Sequence, residues 1–373
     1  MIIGVLKEIK ANEYRVAATP ETVREIKARG HEVLVQSGAG AGSGFSDAEY
    51  AEAGAEIRST AEEVYSGADL FYKVKEIFPE EFKYLGPDKI VFTYIHSNAH
   101  PEETDAILGS RVTAIAYEDI TDDEGFFPLL RPMSILAGKG GFLAALHHMQ
   151  SVFGGNGKLL ARVEGVPTPV ISILGAGNSG IAAAELAAGF GNEVRILDIS
   201  DKALERAKAA LPDGVSFLCS NRENLVNCLR DSDVFMNCVI WPKHRTDHIV
   251  YREDLKLMKP GAMIVDVACD DEGAVETCRS TSHDDPVYYE EGIKHYCVDN
   301  IPSAFAQTAS VMLSKATLPY LLAIADKGVR QALKDDPHLL KGLTAYDGKL
   351  TLEETALKQG RELTDAGELV RSF

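Results

Sequence analysis

The sequence is poor in positive charge. Its 373 residues include 38 lysines and arginines against 56 aspartates and glutamates, which gives a formal net charge of -18. A protein that binds the phosphate backbone of nucleic acid needs clustered Lys and Arg to displace counterions. We therefore exclude nucleic acid as a partner, and we attribute solubility alone to the acidity.

Long hydrophobic runs and an export signal are also missing. A run of 18 or more apolar residues, about the minimum for a transmembrane helix, does not occur. The chain enters an apolar segment at Ile2 without the basic region and cleavage site of a secretory signal. We expect a cytoplasmic protein with no membrane partner.

The spacings of metal and redox motifs are absent as well. No C-x-x-C occurs, and we interpret the six cysteines as reduced core residues; they are Cys219, Cys228, Cys238, Cys269, Cys278 and Cys297. His96 and His100, like His244 and His248, are spaced i to i+4, but neither pair has a third ligand motif. We assign no metal.

The length exceeds one ordinary core and predicts two domains. Apolar runs alternate with amphipathic stretches throughout, which predicts an α/β protein with two Rossmann-like domains and an active site in the cleft between them. The second would be a doubly wound dinucleotide-binding sheet. We predict an NAD-binding domain over 129–305 and a discontinuous substrate domain over 1–128 and 306–373.

The most informative segment is Val170 to Gly180, an apolar run that leads into a G-x-G-x-x-G loop. Gly175 suits the tight turn, Gly177 lets backbone approach a pyrophosphate, and Gly180 lets the next helix pack close to the strand. That helix is predicted over Asn178 to Gly189. The amides of its first residues, Asn178, Ser179 and Gly180, would face the phosphates.

Asp198 ends the following apolar run. A carboxylate there can accept hydrogen bonds from both ribose hydroxyls of an adenosine and would repel a 2'-phosphate. The cofactor is therefore expected to be NAD rather than NADP.

Four polar residues are candidates for chemistry on a small acid. Arg15 lies at the end of a loop just before a helix capped by Thr19. At this position its guanidinium can bind a carboxylate through two hydrogen bonds. One lysine of Lys73 to Lys75 must point inward or lie at the edge of the sheet. His96 and Asp270 follow apolar strands, and the carboxyl ends of such strands are the usual site of catalysis in open α/β sheets.

Six motifs in order resemble the alanine dehydrogenase family nearly end to end. They are K-E-I-K-x-N-E-x-R-V-A-x-T-P at 7–20, V-K-E at 74–76, F-T-Y-I-H at 92–96, P-L-L-x-P-M-S at 128–134, I-V-D-V-A-x-D at 264–270 and H-Y-C-V-x-N at 295–300. The same superfamily includes the NAD-binding domain of nicotinamide nucleotide transhydrogenase and the opine-type dehydrogenases. The arginine-glutamine loop typical of the transhydrogenase domain is absent.

The resemblance implies roles for individual residues. Arg15 and Lys75 would bind the carboxylate and carbonyl of pyruvate, His96 and Asp270 would transfer protons, and Met133 would pack on the substrate. Positions that contact NAD correspond to Ser134, Gly177, Asp198, Ser220, Val239 and Asn300, and we assign Asn300 to the substrate site as well. A homohexamer is also implied.

The chain departs from the family pattern at Ile135, at Gly140-Gly141 and over 237–245, where N-C-V-x-W looks more like the opine-type relatives. We therefore expect reversible, NAD-linked oxidative deamination of L-alanine to pyruvate and ammonia. An opine-type enzyme acting on an N-carboxyalkyl amino acid, and a silent NAD-binding regulatory subunit, remain alternatives. A single methylene in a pocket changes specificity by only ~1 to 3 kcal/mol and leaves no motif.

Overall fold

The computed structural model describes residues 1–242, 245–269 and 273–373. It divides into two compact units, Met1–Pro132 with Ala306–Phe373, and Met133–Phe305. The strands, numbered along the chain, are β1 (Ile2–Val5), β2 (Glu32–Gln36), β3 (Glu56–Arg58), β4 (Leu70–Tyr72), β5 (Ile90–Thr93), β6 (Thr113–Ala116), β7 (Val170–Leu174), β8 (Glu193–Asp198), β9 (Ser216–Cys219), β10 (Val234–Asn237), β11 (Met263–Asp266), β12 (Val287–Glu290), β13 (Ile293–Tyr296), β14 (Leu343–Tyr346) and β15 (Lys349–Leu350).

The helices connect these strands in the alternating order that the sequence predicts. They are α1 (Pro20–Ala28), α2 (Asp47–Glu52), α3 (Ala61–Gly67), α4 (Pro101–Ser110), α5 (Arg131–His148), α6 (Asn178–Gly189), α7 (Asp201–Ala210), α8 (Arg222–Asp231), α9 (Ala306–Lys327), α10 (Val329–Asp335), α11 (Pro337–Lys341), α12 (Glu353–Gln359) and α13 (Ala366–Arg371). Helix α1 begins as predicted, because the Thr19 side chain accepts a hydrogen bond from Thr22 N and Pro20 occupies the first turn.

The first unit contains a sheet in the order β15-β14-β6-β5-β4-β1-β2-β3, and the second a sheet in the order β12-β13-β11-β10-β7-β8-β9. Pairing is parallel except where β12, β14 and β15 take part. The central strands β4, β5, β6 and β7 are buried along their whole length. Such continuous burial is typical of parallel sheets covered on both faces. The predicted α/β class is confirmed.

Some details differ from the prediction. The antiparallel strands β12, β14 and β15 were not predicted, because short strands with mixed polarity lack a clear period. The first unit extends to Pro132, four residues beyond the predicted end at 128. One contact that ties this extension to the first unit is the hydrogen bond from Tyr94 Oη to the Leu129 carbonyl. Cys219 is exposed rather than a core residue.

Helix α9 is the longest helix of the described residues and runs from Ala306 to Lys327. The stretch Ile301–Lys327 is long and apolar enough to cross a membrane by length and composition, and half of its apolar window is buried inside the fold. Core helices of globular proteins meet the same criterion, so the length and composition of this stretch are weak evidence for a membrane span.

Candidate active site

Polar side chains follow four neighbouring strands of the first unit. Lys75 comes after β4, His96 after β5 and Glu118 after β6, while the loop after β1 leads to Arg15. These strands pair in parallel, so their carboxyl ends meet at one edge of the sheet. Ligands of open α/β sheets bind at this edge.

Arg15 is buried and held by Glu13. Its Nε donates to Glu13 Oε1 over 2.7 Å, and the backbone N–H of Arg15 donates to the same oxygen over 3.0 Å. Burial alone would lower the pKa of Arg15, but the hydrogen bond and charge of Glu13 outweigh it and raise the pKa. The guanidinium is therefore a fixed cation with a predetermined orientation.

Lys75 is partly covered, with 13% of its side chain exposed. Its Nζ lies 3.9 Å from Glu76, which also accepts a 2.7 Å bond from Lys10. Burial lowers the pKa of Lys75, and the nearby charges of Lys10 and Arg15 lower it further, against the opposing effect of Glu76. Lys73 is the inward-pointing lysine, since it is fully buried against Glu8 and Glu81.

His96 lies in the left-handed region of the backbone map, with φ 54° and ψ 36°. Few residues other than glycine adopt this conformation, and it costs on the order of 1 kcal/mol or more. The ring stacks on Tyr94 with centroids 6.0 Å apart, and 40% of the side chain remains exposed. Partial burial of the ring, followed by the charge of Lys75, lowers the pKa of His96 below its ordinary value, so the imidazole is neutral at pH 7.

Glu118 was not among the predicted site residues. Its carboxylate accepts hydrogen bonds from the backbone N–H groups of both Ile95 and His96, and its Oε1 lies 3.5 Å from His96 Nδ1. The sequence did contain a signal for Glu118, because this residue follows an apolar strand in the same way as His96 does. Glu13 was likewise missed, because spacing alone does not reveal a local ion pair.

The G-x-G-x-x-G loop of the second unit joins β7 to α6. Gly175 has φ 102°, a conformation that side chains disfavour, and a Cβ on Gly180 would lie 1.8 Å from the Gly175 carbonyl oxygen. The space above Gly177 is open, and this residue caps α6 without a side-chain hydrogen bond. The loop thus combines a tight turn with helix amides that can meet an anion.

Asp198 ends β8 beside that loop. Its Oδ2 accepts from Ala176 N over 2.7 Å and its Oδ1 accepts from Ser200 N over 2.8 Å. Ser220 N donates to the Asp198 carbonyl over 2.8 Å, and Val239 N donates to Asn237 Oδ1 over 3.2 Å. Asp198, Ser220 and Val239 accordingly follow β8, β9 and β10, at the carboxyl edge of the second sheet.

The remaining predicted residues are distributed in the second unit. Met133 is buried and Ser134 half-buried in the first turns of α5. The carbonyl of Asn300 accepts from Ser303 Oγ over 3.1 Å and lies 2.9 Å from His283 Nε2. Asp270 lies outside the described residues. Within the described ranges, no group of three or more His, Cys, Asp or Glu side chains could hold a metal ion.

Arg15, Lys75 and His96 are therefore brought together in the first unit. Asn178, Ser179 and the loop glycines lie together in the second unit with Asp198. A fixed cation, a lysine and a neutral imidazole can bind a carboxylate and accept a proton. A glycine-rich helix N-terminus beside an acidic strand end can bind a dinucleotide.

Comparison with known proteins covers both units. Residues 4–137 match the family model described as "Alanine dehydrogenase/PNT, N-terminal domain", and residues 142–353 match "Alanine dehydrogenase/PNT, C-terminal domain". The alanine dehydrogenase of Halomonas elongata is 42% identical over 370 residues, covering 99% of this chain and 100% of that protein. The alanine dehydrogenase of Bacillus subtilis is 41% identical and covers 98% and 97%.

Solved structures show the same relationship. An L-alanine dehydrogenase is 36% identical and superposes with a TM-score of 0.92 over 96% of this chain and 99% of that one. A transhydrogenase from Sinorhizobium meliloti is 23% identical, has a TM-score of 0.80 and covers 95% and 99%. The second likeness concerns the fold alone.

Proposed function

The chain belongs to the alanine dehydrogenase family, and from that premise we propose that it catalyses the reversible, NAD-dependent oxidative deamination of L-alanine to pyruvate and ammonia. The observation that carries this proposal is the convergence of Arg15, Lys75 and His96 at one sheet edge. Electrostatic coupling links Arg15 to Lys75 and Lys75 to His96. A small amino acid or 2-oxo acid is the ligand that fits this set.

The first-unit residues would act in sequence on the substrate. Arg15, already oriented by Glu13, binds the carboxylate through two parallel hydrogen bonds. Lys75 binds the carbonyl oxygen of pyruvate, and His96, neutral at pH 7, accepts the proton released when water adds to the imine. We assign Met133 and Asn300 to the walls of the substrate site and Asp270 to orientation of the water or ammonia.

The cofactor-binding residues would be Ser134, Asn178, Ser179, Ser220, Val239 and Asn300 together with Gly175, Gly177, Gly180 and Asp198. Their chemistry fits NAD, because open space above Gly177 adjoins the first amides of α6, and Asp198 provides a carboxylate for ribose hydroxyls. NAD, when bound, supplies the acceptor for the hydride that leaves the alanine α-carbon. We also propose a cytoplasmic location, where free thiols such as the exposed Cys219 stay reduced.

Asp198→Ala is expected to weaken NAD binding strongly while NADP is tolerated better. The carboxylate that repels a 2'-phosphate is removed, and the loop loses an acceptor for Ala176 N. Dissociation constants for NAD and NADP, measured by calorimetry, would give the ratio of the two affinities.

Asp198→Asn is the matched control, because it removes the charge but keeps one of the two acceptor oxygens that bind Ala176 N and Ser200 N. It should lose less NAD affinity than the alanine variant and gain a similar tolerance for NADP. An unchanged NAD to NADP ratio in both variants would mean that Asp198 does not face the ribose.

The test of the proposed activity is NAD reduction with L-alanine against a panel of amino acids. Turnover with an N-carboxyalkyl amino acid and none with alanine would favour the opine-type alternative. Calorimetry with NAD beside the rate assay identifies a silent regulatory subunit, which would bind NAD without turnover on any amino acid.

The assembly is expected to be a homohexamer, so light scattering should give six times the chain mass of 40.4 kDa. Exposed apolar side chains are frequent between 152 and 166, where Val152 is 81% and Val166 59% exposed. If this segment contacts a second copy, Val152→Asp should lower the mass. Leu357→Asp, at an exposed position of α12, is the control that should not. A monomeric mass for the natural protein would contradict the assembly.

A further inference from the structure

The backbone around His96 forms an anion-binding turn, and Glu118 fills it. The consecutive N–H groups of Ile95 and His96 both donate to the Glu118 carboxylate, the first over 3.0 Å. Successive N–H groups that converge in this way form a concavity that selects a negative charge. Because His96 is left-handed, a conformation that must be held by its surroundings, the carboxylate offsets the cost of the turn.

The same carboxylate faces the imidazole. Its Oε1 lies 3.5 Å from Nδ1 of His96, and 13% of the Glu118 side chain is exposed. When Glu118 is ionised, the favoured tautomer carries its hydrogen on Nδ1, toward the carboxylate, and leaves a lone pair on Nε2. We propose that Glu118 is a positioning residue for His96, holding its left-handed backbone and sharing one proton with its ring. This inference rests on the proposed role of His96 in alanine oxidation.

The protonation state of the Glu118–His96 pair determines whether Nε2 of His96 can accept a proton. If the pair gains a proton, it goes to Nε2 directly, or the Nδ1 proton passes to Glu118 while Nε2 gains one. In both cases Nε2 carries hydrogen and cannot accept a proton from the substrate. Gain of one proton in either of these two forms therefore stops alanine oxidation, whether the ring or the carboxyl group holds it.

Burial acts on the two groups in opposite directions, because it disfavours the charged form of each. It raises the pKa of Glu118 to about 7, whereas it lowers the pKa of His96. Charged and titratable groups surround the pair from the ends of β1, β4, β5 and β6 and from α4. They are Lys10, Lys75, Glu76, Tyr94, His100, Glu103, Tyr117 and Asp119. An acid limb near neutrality would thus belong to the pair and not to the imidazole alone.

The test is Glu118→Gln, which keeps the shape and an acceptor oxygen but removes the charge. Without the carboxylate the proton affinity of the pair falls, so the acid limb of kcat for alanine oxidation should move to lower pH by more than about one unit. A less basic and less well-oriented imidazole should also lower kcat at least roughly tenfold.

A second readout requires no turnover. Diethyl pyrocarbonate acylates an imidazole only at a nitrogen with a lone pair. Tandem mass spectrometry that localises the modification to His96, and not to His100 in the same peptide, therefore reports the state of the His96 ring against pH. The midpoint should move to lower pH in Glu118→Gln, as the acid limb does. If the natural protein does not oxidise alanine, the proposed function fails, but this midpoint still decides the role of Glu118.

Asp119→Asn is the matched control, because burial also raises the pKa of this adjacent acid, to about 8, while the contacts to the His96 backbone described above come from Glu118. Because Asp119 interacts electrostatically with Glu118 but makes none of these contacts, both pH profiles should move by much less in this variant than in Glu118→Gln. If Glu118→Gln does not fold, Glu118→Asp tests the inference instead. Its shorter side chain withdraws the carboxylate from His96, so both pH profiles should move in the same direction by a smaller amount. Unchanged profiles in the folded Glu118 variant, with only thermal stability lowered, would overturn the inference.

Discussion

Replacing His96 with alanine should lower kcat for alanine oxidation by about a hundredfold or more and leave the affinity for NAD nearly intact. General acid-base groups typically contribute ~100 to 10,000-fold, and removal of the imidazole leaves no group in its place to take the proton. His96→Asn is the stricter variant, because asparagine tolerates the left-handed backbone that His96 adopts. The measurements are kcat per folded molecule and NAD binding by calorimetry.

His100→Ala provides the comparison, since His100 is exposed and lies four residues further along the same segment. It should keep kcat within a small factor of the natural protein. A histidine that merely packs at a strand end would behave differently: both His96 variants would lose thermal stability and retain near-normal turnover. That result would leave Lys75 and Asp270 as the candidates for proton transfer.

The second large effect is expected at Gly180. An added Cβ would lie 1.8 Å from the Gly175 carbonyl oxygen, which is backbone and cannot rotate away. Overpacking of this kind costs typically ~1 to 3 kcal/mol, and a cost of about 1.4 kcal/mol that displaces the loop corresponds to a tenfold change in affinity. Gly180→Ala should therefore raise the dissociation constant for NAD by about tenfold or more.

Gly189 is a control in the same helix, because nothing lies within 4 Å of a Cβ placed there. Gly189→Ala should leave NAD binding unchanged and stabilise α6 by up to about 1 kcal/mol, the gain expected from alanine over glycine in a helix. Equal NAD affinities in the two variants would show that close packing at Gly180 does not support the cofactor site. Calorimetry and thermal unfolding measure both effects.

The buried parallel strands and the dinucleotide loop could be predicted because each has a strong local signal, whereas the short parallel strand β3, which has no fully buried residue, could not. The apolar segment that begins at Ile2 forms strand β1, and β7 leads through the glycine loop into α6 at Asn178 as predicted. Buried parallel strands are continuous apolar runs, and the loop needs glycine at fixed positions. The antiparallel strand β12 contains Val-Tyr-Tyr-Glu, and no such pattern distinguishes it from an irregular connection.

The sequence could propose residues for the candidate site but not their electrostatics. Arg15, Lys75 and His96 were predicted from strand ends and from the family resemblance. Their ionic partners Glu13, Glu76 and Glu118 depend on side-chain directions and burial, which spacing does not encode. For the same reason the sequence could not anticipate that burial and the charge of Lys75 lower the pKa of His96 from its ordinary value near 6.5.

Strand β14, which pairs with β6, has a consequence for how the protein is made. Strand β6 is synthesised more than two hundred residues before its partner β14. The edge of β6 that pairs with β14 is therefore unpaired while the second unit is synthesised. The second unit is continuous in sequence and can fold as it emerges. During synthesis the exposed edge of β6 is therefore a point where chaperones can bind and where neighbouring nascent chains can associate wrongly.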